Sequence, residues 1–107
     1  MRYLMMSKAS DYAPNDNLYI EMGKFIEEMT SAGILLATGG LEANGVVIKS
    51  SGDEITVTDG PFAEAKEAVA GFALVEVRSK EEAIELGRRF RKIVGDGESV
   101  IQQVFGP

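Results

Sequence analysis

Residues 71–83, with the sequence GFALVEVRSKEEA, contain the end of a strand and the start of a helix. The run from Ala68 to Val77 is rich in valine and has Glu76 as its one polar side chain, which predicts a long strand. Ser79 stands three residues before Glu82, the spacing of a capping box at the start of a helix. Residues with helical spacing follow, until Gly95-Asp96-Gly97 ends the pattern: Ala83, Leu86, Gly87, Phe90 and Val94.

The first part of the chain shows the same alternation of strand and helix. Arg2–Ser7 predicts a strand, and the cluster at residues 14–17 predicts the start of a helix. Ala32-Gly33 ends this helix, because glycine readily adopts the left-handed conformation after a last turn. Ile34–Thr38 predicts the next strand, bounded by Gly39-Gly40. The apolar stripe of the first helix consists of Leu18, Met22, Phe25, Ile26 and Met29.

The middle of the chain predicts a β-hairpin. Val46–Lys49 and Glu54–Thr58 are rich in β-branched residues, and the turn residues 50–53 separate them. Ser99–Phe105 predicts a last strand. The order is therefore β-α-β, hairpin, β-α-β, within one domain over residues 1–107. This order predicts an α+β ferredoxin-like sandwich with both helices on one face of an antiparallel sheet.

The other face of this sheet has no helix to cover it. Both alternating sets of residues in Ile34–Thr38 and Phe72–Val77 include large hydrophobic side chains. An apolar sheet face needs a cover, and a second copy of the chain is the simplest one. The pattern therefore predicts a homodimer that buries this face.

The composition excludes several classes of protein. The chain has no His and no Cys, which excludes a Ser-His-Asp triad, a thiolate nucleophile, a zinc finger and an intrachain disulfide. Its net charge of −6 argues against nucleic acid as a partner. The longest stretch without polar side chains, Ala68–Val75, is far shorter than the roughly 20 residues of a membrane span. We expect a cytoplasmic protein that needs no metal or cofactor and contacts neither nucleic acid nor membrane.

The sequence of residues 56–67, TVTDGPFAEAKE, predicts a rigid turn directly after the second arm of the hairpin. Asp59-Gly60 favours a turn, and Pro61 fixes the next φ angle. Phe62 is an unusual residue for a solvated loop, and three charged residues stand near it: Glu64, Lys66 and Glu67. A turn that presents an acid, an aromatic ring and mixed charges can form the wall of a binding site.

This stretch resembles the signature of the DGPF family, the proteins with a YCII-related domain. Asp59-Gly60-Pro61-Phe62 matches the namesake motif, and residues 63–67 continue it, with Ala65 where the family usually has Thr. The resemblance extends over nearly the whole chain, through residues 1–6, 32–37, 40–41, 79–83 and 103–105. It implies a ferredoxin-like fold and a dimer of the α+β barrel type.

The resemblance implies less about chemistry than about fold. The activity of the family is not established, and its more distant YciI branch is associated with a His and Asp pair suggestive of acid–base chemistry. This chain has no His, so that pair cannot exist here.

Three hypotheses about function remain open. The first is a small-molecule-binding homodimer whose cleft lies between the sheet and the first helix or the motif loop. Its ligand-binding candidates are Asp59, Pro61, Phe62, Glu64, Lys66 and Glu67. The second is an enzyme that uses Asp59, the best catalytic candidate, or Glu64 as a proton acceptor for a small polar substrate. The third is an interaction module that uses the basic residues Arg88, Arg89, Arg91 and Lys92.

Each candidate residue also has a structural interpretation. Asp59 can cap the end of the strand, Phe62 can plug the core, and the charges after it can form a solvated loop. The basic residues stand in the last turns of the second helix, where cations complement the helix dipole. Four methionines either belong to the core or line an adaptable apolar pocket: Met5, Met6, Met22 and Met29.

Overall fold

The fold is an α+β sandwich in which two helices cover one face of an antiparallel sheet. The computed structural model describes residues 1–8, 16–42, 44–60 and 69–106. In chain order the elements are β1 (Arg2–Lys8), α1 (Asp16–Ser31), β2 (Leu35–Gly40), β3 (Val46–Ser51), β4 (Glu54–Asp59), β5 (Val69–Glu76), α2 (Lys80–Val94) and β6 (Ser99–Val104). Within these ranges, neither helix is long and apolar enough to cross a membrane.

The main sheet has four strands in the order β2-β5-β1-β6, and every neighbouring pair is antiparallel. Strands β3 and β4 form a separate two-stranded sheet between β2 and β5 in the sequence. Without this hairpin, the two β-α-β units interleave as in a ferredoxin-like fold. The fold class predicted from the sequence is confirmed.

The start of α2 and the end of α1 have the caps that their sequences predict. The Ser79 hydroxyl accepts a hydrogen bond of 3.2 Å from the Glu82 amide, so the predicted cap of α2 is confirmed. At the end of α1, Gly33 has a φ of 75°. The Gly33 amide donates to the Thr30 carbonyl, and the Ile34 amide donates to the Met29 carbonyl. These two bonds are those of a Schellman motif, which satisfies the last carbonyls of the helix.

Two predicted strand ends are wrong. Gly39-Gly40 lies inside β2 instead of bounding it. A β-carbon on Gly39 would lie 3.2 Å from Cε1 of Phe72, so glycine here admits an aromatic ring from the neighbouring strand. In the hairpin, Ser50 and Ser51 extend β3, and only Gly52-Asp53 separates the two arms, with a φ of 58° at Gly52.

The core lies between the helices and one face of the sheet. Tyr3 and Met5 of β1 are buried there with Val75 of β5, against buried side chains of both helices: Met29, Ala83 and Leu86. The alternate residues of the same strands point to the opposite face. These pair across the strands as Leu4 with Leu74 and Met6 with Phe72. The expectation of an apolar, helix-free face is confirmed.

Candidate functional site

A cavity of about 370 Å³ lies between the two helices and the sheet. Helix α1 contributes Met22 and Phe25 to its wall, and α2 contributes Phe90. Of the described residues that line it, Ser7 and Thr38 alone have polar side chains, and none is charged. The cavity therefore suits a largely apolar molecule with few polar atoms.

Small residues explain why the helices leave this space open. Towards the end of β1, the helix-facing side of the sheet carries Ser7, which pairs with Gly71. Gly71 in turn pairs with Gly40, and Ala73 pairs with Thr38. These side chains are too short to fill the space under α1 and α2. The glycines and the alanine thus leave a cavity where the core would otherwise close.

Three of the four methionines line this cavity. Met5 and Met29 are buried core residues and also form part of the cavity wall, so both interpretations made from the sequence apply to them. Met22 lines the cavity and is half-buried. Met6 pairs with Phe72 and Val100 on the helix-free face. Flexible thioether side chains let a cavity wall adjust to ligands of different shape.

An ion pair joins the two helices beside the cavity. The Arg89 guanidinium donates to both carboxylate oxygens of Glu28, at 2.7 and 3.0 Å. The same guanidinium lies 4.9 Å from the centre of the Phe25 ring, which forms part of the cavity wall. The hydrogen bond from Arg89 lowers the pKa of Glu28, and the pKa of Arg89 is raised by the same bond. The Arg89 guanidinium, fixed by Glu28, thus packs over the Phe25 ring.

A short chain of polar groups reaches the cavity at Ser7. The Ser7 and Ser99 hydroxyl oxygens are 3.1 Å apart. Arg91 donates through Nη1 to the Ser99 hydroxyl at 3.2 Å and through Nη2 to the Gly95 carbonyl at 2.7 Å. The Nε atom of Arg91 is buried and has no hydrogen-bond partner among the described residues. A positive charge is therefore held behind the hydroxyl that faces the cavity.

The basic residues of α2 are mostly engaged within the chain. Arg88 pairs with Glu85, Arg89 with Glu28, and Arg91 with the end of its own helix. Arg91 and Lys92 stand in the last turn of α2, where they complement the helix dipole. These contacts agree with the structural interpretation of the cluster.

Asp59 is the last residue of β4, pairs with Val46 and is exposed. The next residue, Gly60, donates its amide to the Gly45 carbonyl at 2.8 Å. Asp59 is not among the described residues that line the cavity. The other predicted ligand-binding residues lie outside the described ranges: Pro61, Phe62, Glu64, Lys66 and Glu67. The role of the motif therefore stays a prediction.

No motif of the sequence singles out the serine at the cavity, since Ser7 stands only as the last residue of the predicted first strand. The signal was present in the alternation of β1, because Ser7 falls on the same face as the buried Tyr3 and Met5. A small polar residue at a core-facing position indicates either a buried hydrogen bond or a binding site.

The fold and the cavity define a class of small α+β protein with an apolar site under its helices. A family model for the YCII-related domain matches residues 1–101, and the chain belongs to that family. It is 44% identical over 41 residues to the uncharacterized protein R00369 of Rhizobium meliloti (strain 1021), a match that covers 38% of this chain. The matched segment spans only about a third (33%) of the length of that curated relative.

A solved structure is similar over the whole chain. It is the 5-chloro-2-hydroxyhydroquinone dehydrochlorinase from Burkholderia phenoliruptrix AC1100, in complex with 2,5-dihydroxybenzoquinone. The TM-score is 0.52 at 12% identity, over 100% of this chain and 96% of that chain. A likeness at this identity shows the shared fold, and function must be argued from the site.

Proposed function

We propose that the protein binds a small, largely apolar molecule in the cavity between its two helices and the sheet. The observation that carries the proposal is the cavity itself. Its volume of about 370 Å³ falls in the range of small-molecule sites, and its wall combines apolar side chains with the hydroxyls of Ser7 and Thr38. The similar dehydrochlorinase was solved with a small planar ring bound, which supports a ligand of that size.

The wall of the cavity limits the chemistry of the ligand. Because no charged side chain among the described residues lines it, a highly charged ligand would lose its hydration without gaining a partner. Thr38 donates its hydroxyl to the Phe72 carbonyl at 2.9 Å, so its hydrogen is already used. A neutral ring compound with one or two polar atoms fits this wall best.

A substitution that fills the cavity tests this proposal. Ala73 lines the cavity, and Ala73→Leu adds three carbon atoms that occupy part of the ligand space. We expect wild-type protein to bind members of a panel of substituted phenols, quinones and bicyclic ketones in calorimetry, and Ala73→Leu to bind them at least about tenfold more weakly.

Ala70→Leu is the matched control, because Ala70 is exposed on the same strand and is not among the described residues that line the cavity. Circular dichroism checks that both variants fold. Binding that is equally strong in wild type and Ala73→Leu would place the ligand elsewhere, and a wild-type protein that binds no member of the panel would contradict the proposal.

We also propose that the protein is a homodimer, because its exposed area is large for a chain of its size. The exposed surface is 7739 Å², whereas a compact monomer of 11.5 kDa exposes about 5,800 Å². The difference, about 1,900 Å², is comparable to the area that one protomer buries in a stable homodimer. Val100 and Val104 on the helix-free face of the sheet contribute to it, with exposed fractions of 40% and 42%.

The hairpin adds a second uncovered apolar face. The register of β3 and β4 places Val46, Ile48, Ile55 and Val57 on one side, and these side chains are 55–68% exposed. An isolated two-stranded hairpin is marginally stable, so this face needs a partner. A second copy, related by a two-fold axis, carries the same two apolar surfaces and can cover both the helix-free face and the hairpin. Sedimentation equilibrium at micromolar concentration tests the dimer, and a species of 11.5 kDa would contradict it.

A further inference from the structure

We infer that the Ser7 hydroxyl is the hydrogen-bond donor that orients the ligand, with Ser99 and Arg91 polarising it from behind. The cavity is thereby specific for molecules with an acceptor oxygen, such as a ring ketone or a quinone. This inference rests on the proposed binding function, and it assigns the polar end of the cavity to one side chain.

The hydrogen bond between Arg91 and Ser99 has a fixed direction. A guanidinium can only donate, so the Ser99 hydroxyl oxygen accepts from Arg91 at 3.2 Å. The Ser7 and Ser99 oxygens are 3.1 Å apart and either hydroxyl can donate, and we assign the proton of this bond to Ser99. With its oxygen accepting from Ser99, Ser7 keeps its own proton for an acceptor in the cavity that it lines.

The charge behind Ser7 is well placed to strengthen this donor. Arg91 makes no ion pair with any described residue, and its guanidinium donates to the Ser99 hydroxyl and to the Gly95 carbonyl. The nearest acid in sequence to Ser99 is Glu98, whose carboxylate pairs with Lys8 at 3.2 Å. Among the described residues, no carboxylate therefore neutralises the positive charge of Arg91. In a chain of hydrogen bonds, each donor polarises the next, so Ser7 becomes a better donor than an isolated hydroxyl.

This arrangement discriminates between ligands of the same shape. A ligand oxygen that accepts from Ser7 gains one hydrogen bond in an apolar enclosure. A hydrocarbon of equal size leaves the Ser7 proton without an acceptor, which is costly in a water-poor site. An ammonium ligand places its positive charge towards the Arg91 guanidinium, which repels it. The cavity therefore favours oxygen acceptors over hydrocarbons and over amines.

A matched pair of probes separates this inference from the proposed function. 1-Tetralone and tetralin have the same bicyclic frame and differ by one ketone oxygen. We expect wild-type protein to bind tetralone more tightly than tetralin in calorimetry. We expect Ser7→Ala to weaken tetralone binding about tenfold and to leave tetralin binding equal or stronger, because the variant has no hydroxyl proton for the hydrocarbon to leave unpaired. Arg91→Gln, which removes the charge of a positioning residue, should give a smaller loss for tetralone alone.

Three controls keep the test decisive. Ser7→Thr keeps the hydroxyl and should restore the preference for tetralone, which a purely structural role of Ser7 would not predict. The carbonyl stretch of bound tetralone should shift to lower frequency in wild type and return in Ser7→Ala. Ser51→Ala, at an exposed serine of the hairpin, should change neither affinity.

The failures of the two ideas differ. If wild type binds both probes and Ser7→Ala weakens both equally, or neither, the role of Ser7 is wrong while the binding function stands. If wild type binds neither probe, and no member of the broader panel, the binding function is wrong and the role of Ser7 falls with it.

Discussion

At the scale of single residues, the Arg89–Glu28 pair gives the clearest dependence on pH. The hydrogen bond from Arg89 lowers the pKa of Glu28 in the folded chain. A lowered carboxyl pKa contributes stability above the unfolded-state pKa of about 4.3, and this contribution is lost as the pH falls through the folded-state value. Both side chains are about half exposed, so the contribution is small.

This pair leads to a prediction about thermal stability. Wild type should melt at a higher temperature than Glu28→Gln at pH 7, and the difference should shrink as the pH is lowered to 3, because protonation of Glu28 removes the charge that Arg89 binds. Glu27→Gln is the matched control, because Glu27 is an exposed neighbour on the same helix. Melting curves followed by circular dichroism measure the difference. A gap between wild type and Glu28→Gln of equal size at both pH values would contradict the mechanism.

The position of the candidate site could be predicted only in part from the sequence. The sequence predicted a cleft between the sheet and either the first helix or the motif loop. A cavity does lie against the first helix, because helical spacing puts Met22 and Phe25 on the face turned to the sheet. The sequence placed the cleft near Asp59 and Phe62, but Asp59 is not among the described residues that line the cavity. It did not single out Ser7, since its partners Ser99 and Arg91 are 92 and 84 positions away along the chain. Such a contact depends on the pairing of β1 with β6, which periodicity within one segment cannot show.

At the scale of elements, local signals predicted the helix ends better than the strand ends. Ser79 and Gly33 act through bonds within four or five residues, so their role is visible in a short window. Gly39 instead makes room for the ring of Phe72 on another strand, whereas its sequence neighbours predict a turn. Strand boundaries depend on the neighbouring strand, and this explains where the prediction was wrong.

Two glycines of the α1 region lead to opposite predictions. Gly23 lies inside α1, and a β-carbon there would meet nothing within 4 Å. Gly23→Ala should therefore stabilise the protein by about 0.5–1 kcal/mol. Gly33 also has open space, but its φ of 75° strains an alanine, so Gly33→Ala should destabilise by about 1 kcal/mol. Urea denaturation measures both. Shifts of the same sign would contradict the assigned role of Gly33 as the left-handed end of α1.

At the scale of the whole molecule, the sheet separates the surfaces of the two proposed functions, ligand binding and dimerisation. The helix-covered face holds the cavity, and the helix-free face carries Leu4, Met6 and Leu74 for the proposed dimer. Alternation along a strand puts Ala73 in the cavity wall and Leu74 on the opposite face. Binding and assembly can therefore be changed by neighbouring substitutions on the same strand.

The radius of gyration supports an open arrangement of the single chain. It is 16.0 Å, whereas a compact chain of this length has about 13 Å. The hairpin accounts for part of the excess, since nearly all of its residues are exposed. A chain of this shape gains most from a partner that packs against the hairpin and the helix-free face together.

This separation leads to the last prediction. Leu74→Glu places a carboxylate in the centre of the helix-free face, so it should convert a dimer to a monomer in sedimentation equilibrium. Thr30→Glu, at an exposed position on α1, adds the same charge and should leave the dimer intact. Ile48→Asp on the hairpin should weaken the dimer if the hairpin belongs to the interface.

Because the cavity lies on the other face, a folded Leu74→Glu monomer should still bind the ring compounds that wild type binds. A Leu74→Glu variant that sediments as wild type does would exclude this face from the interface, and a folded monomer without binding would mean that the partner completes the site.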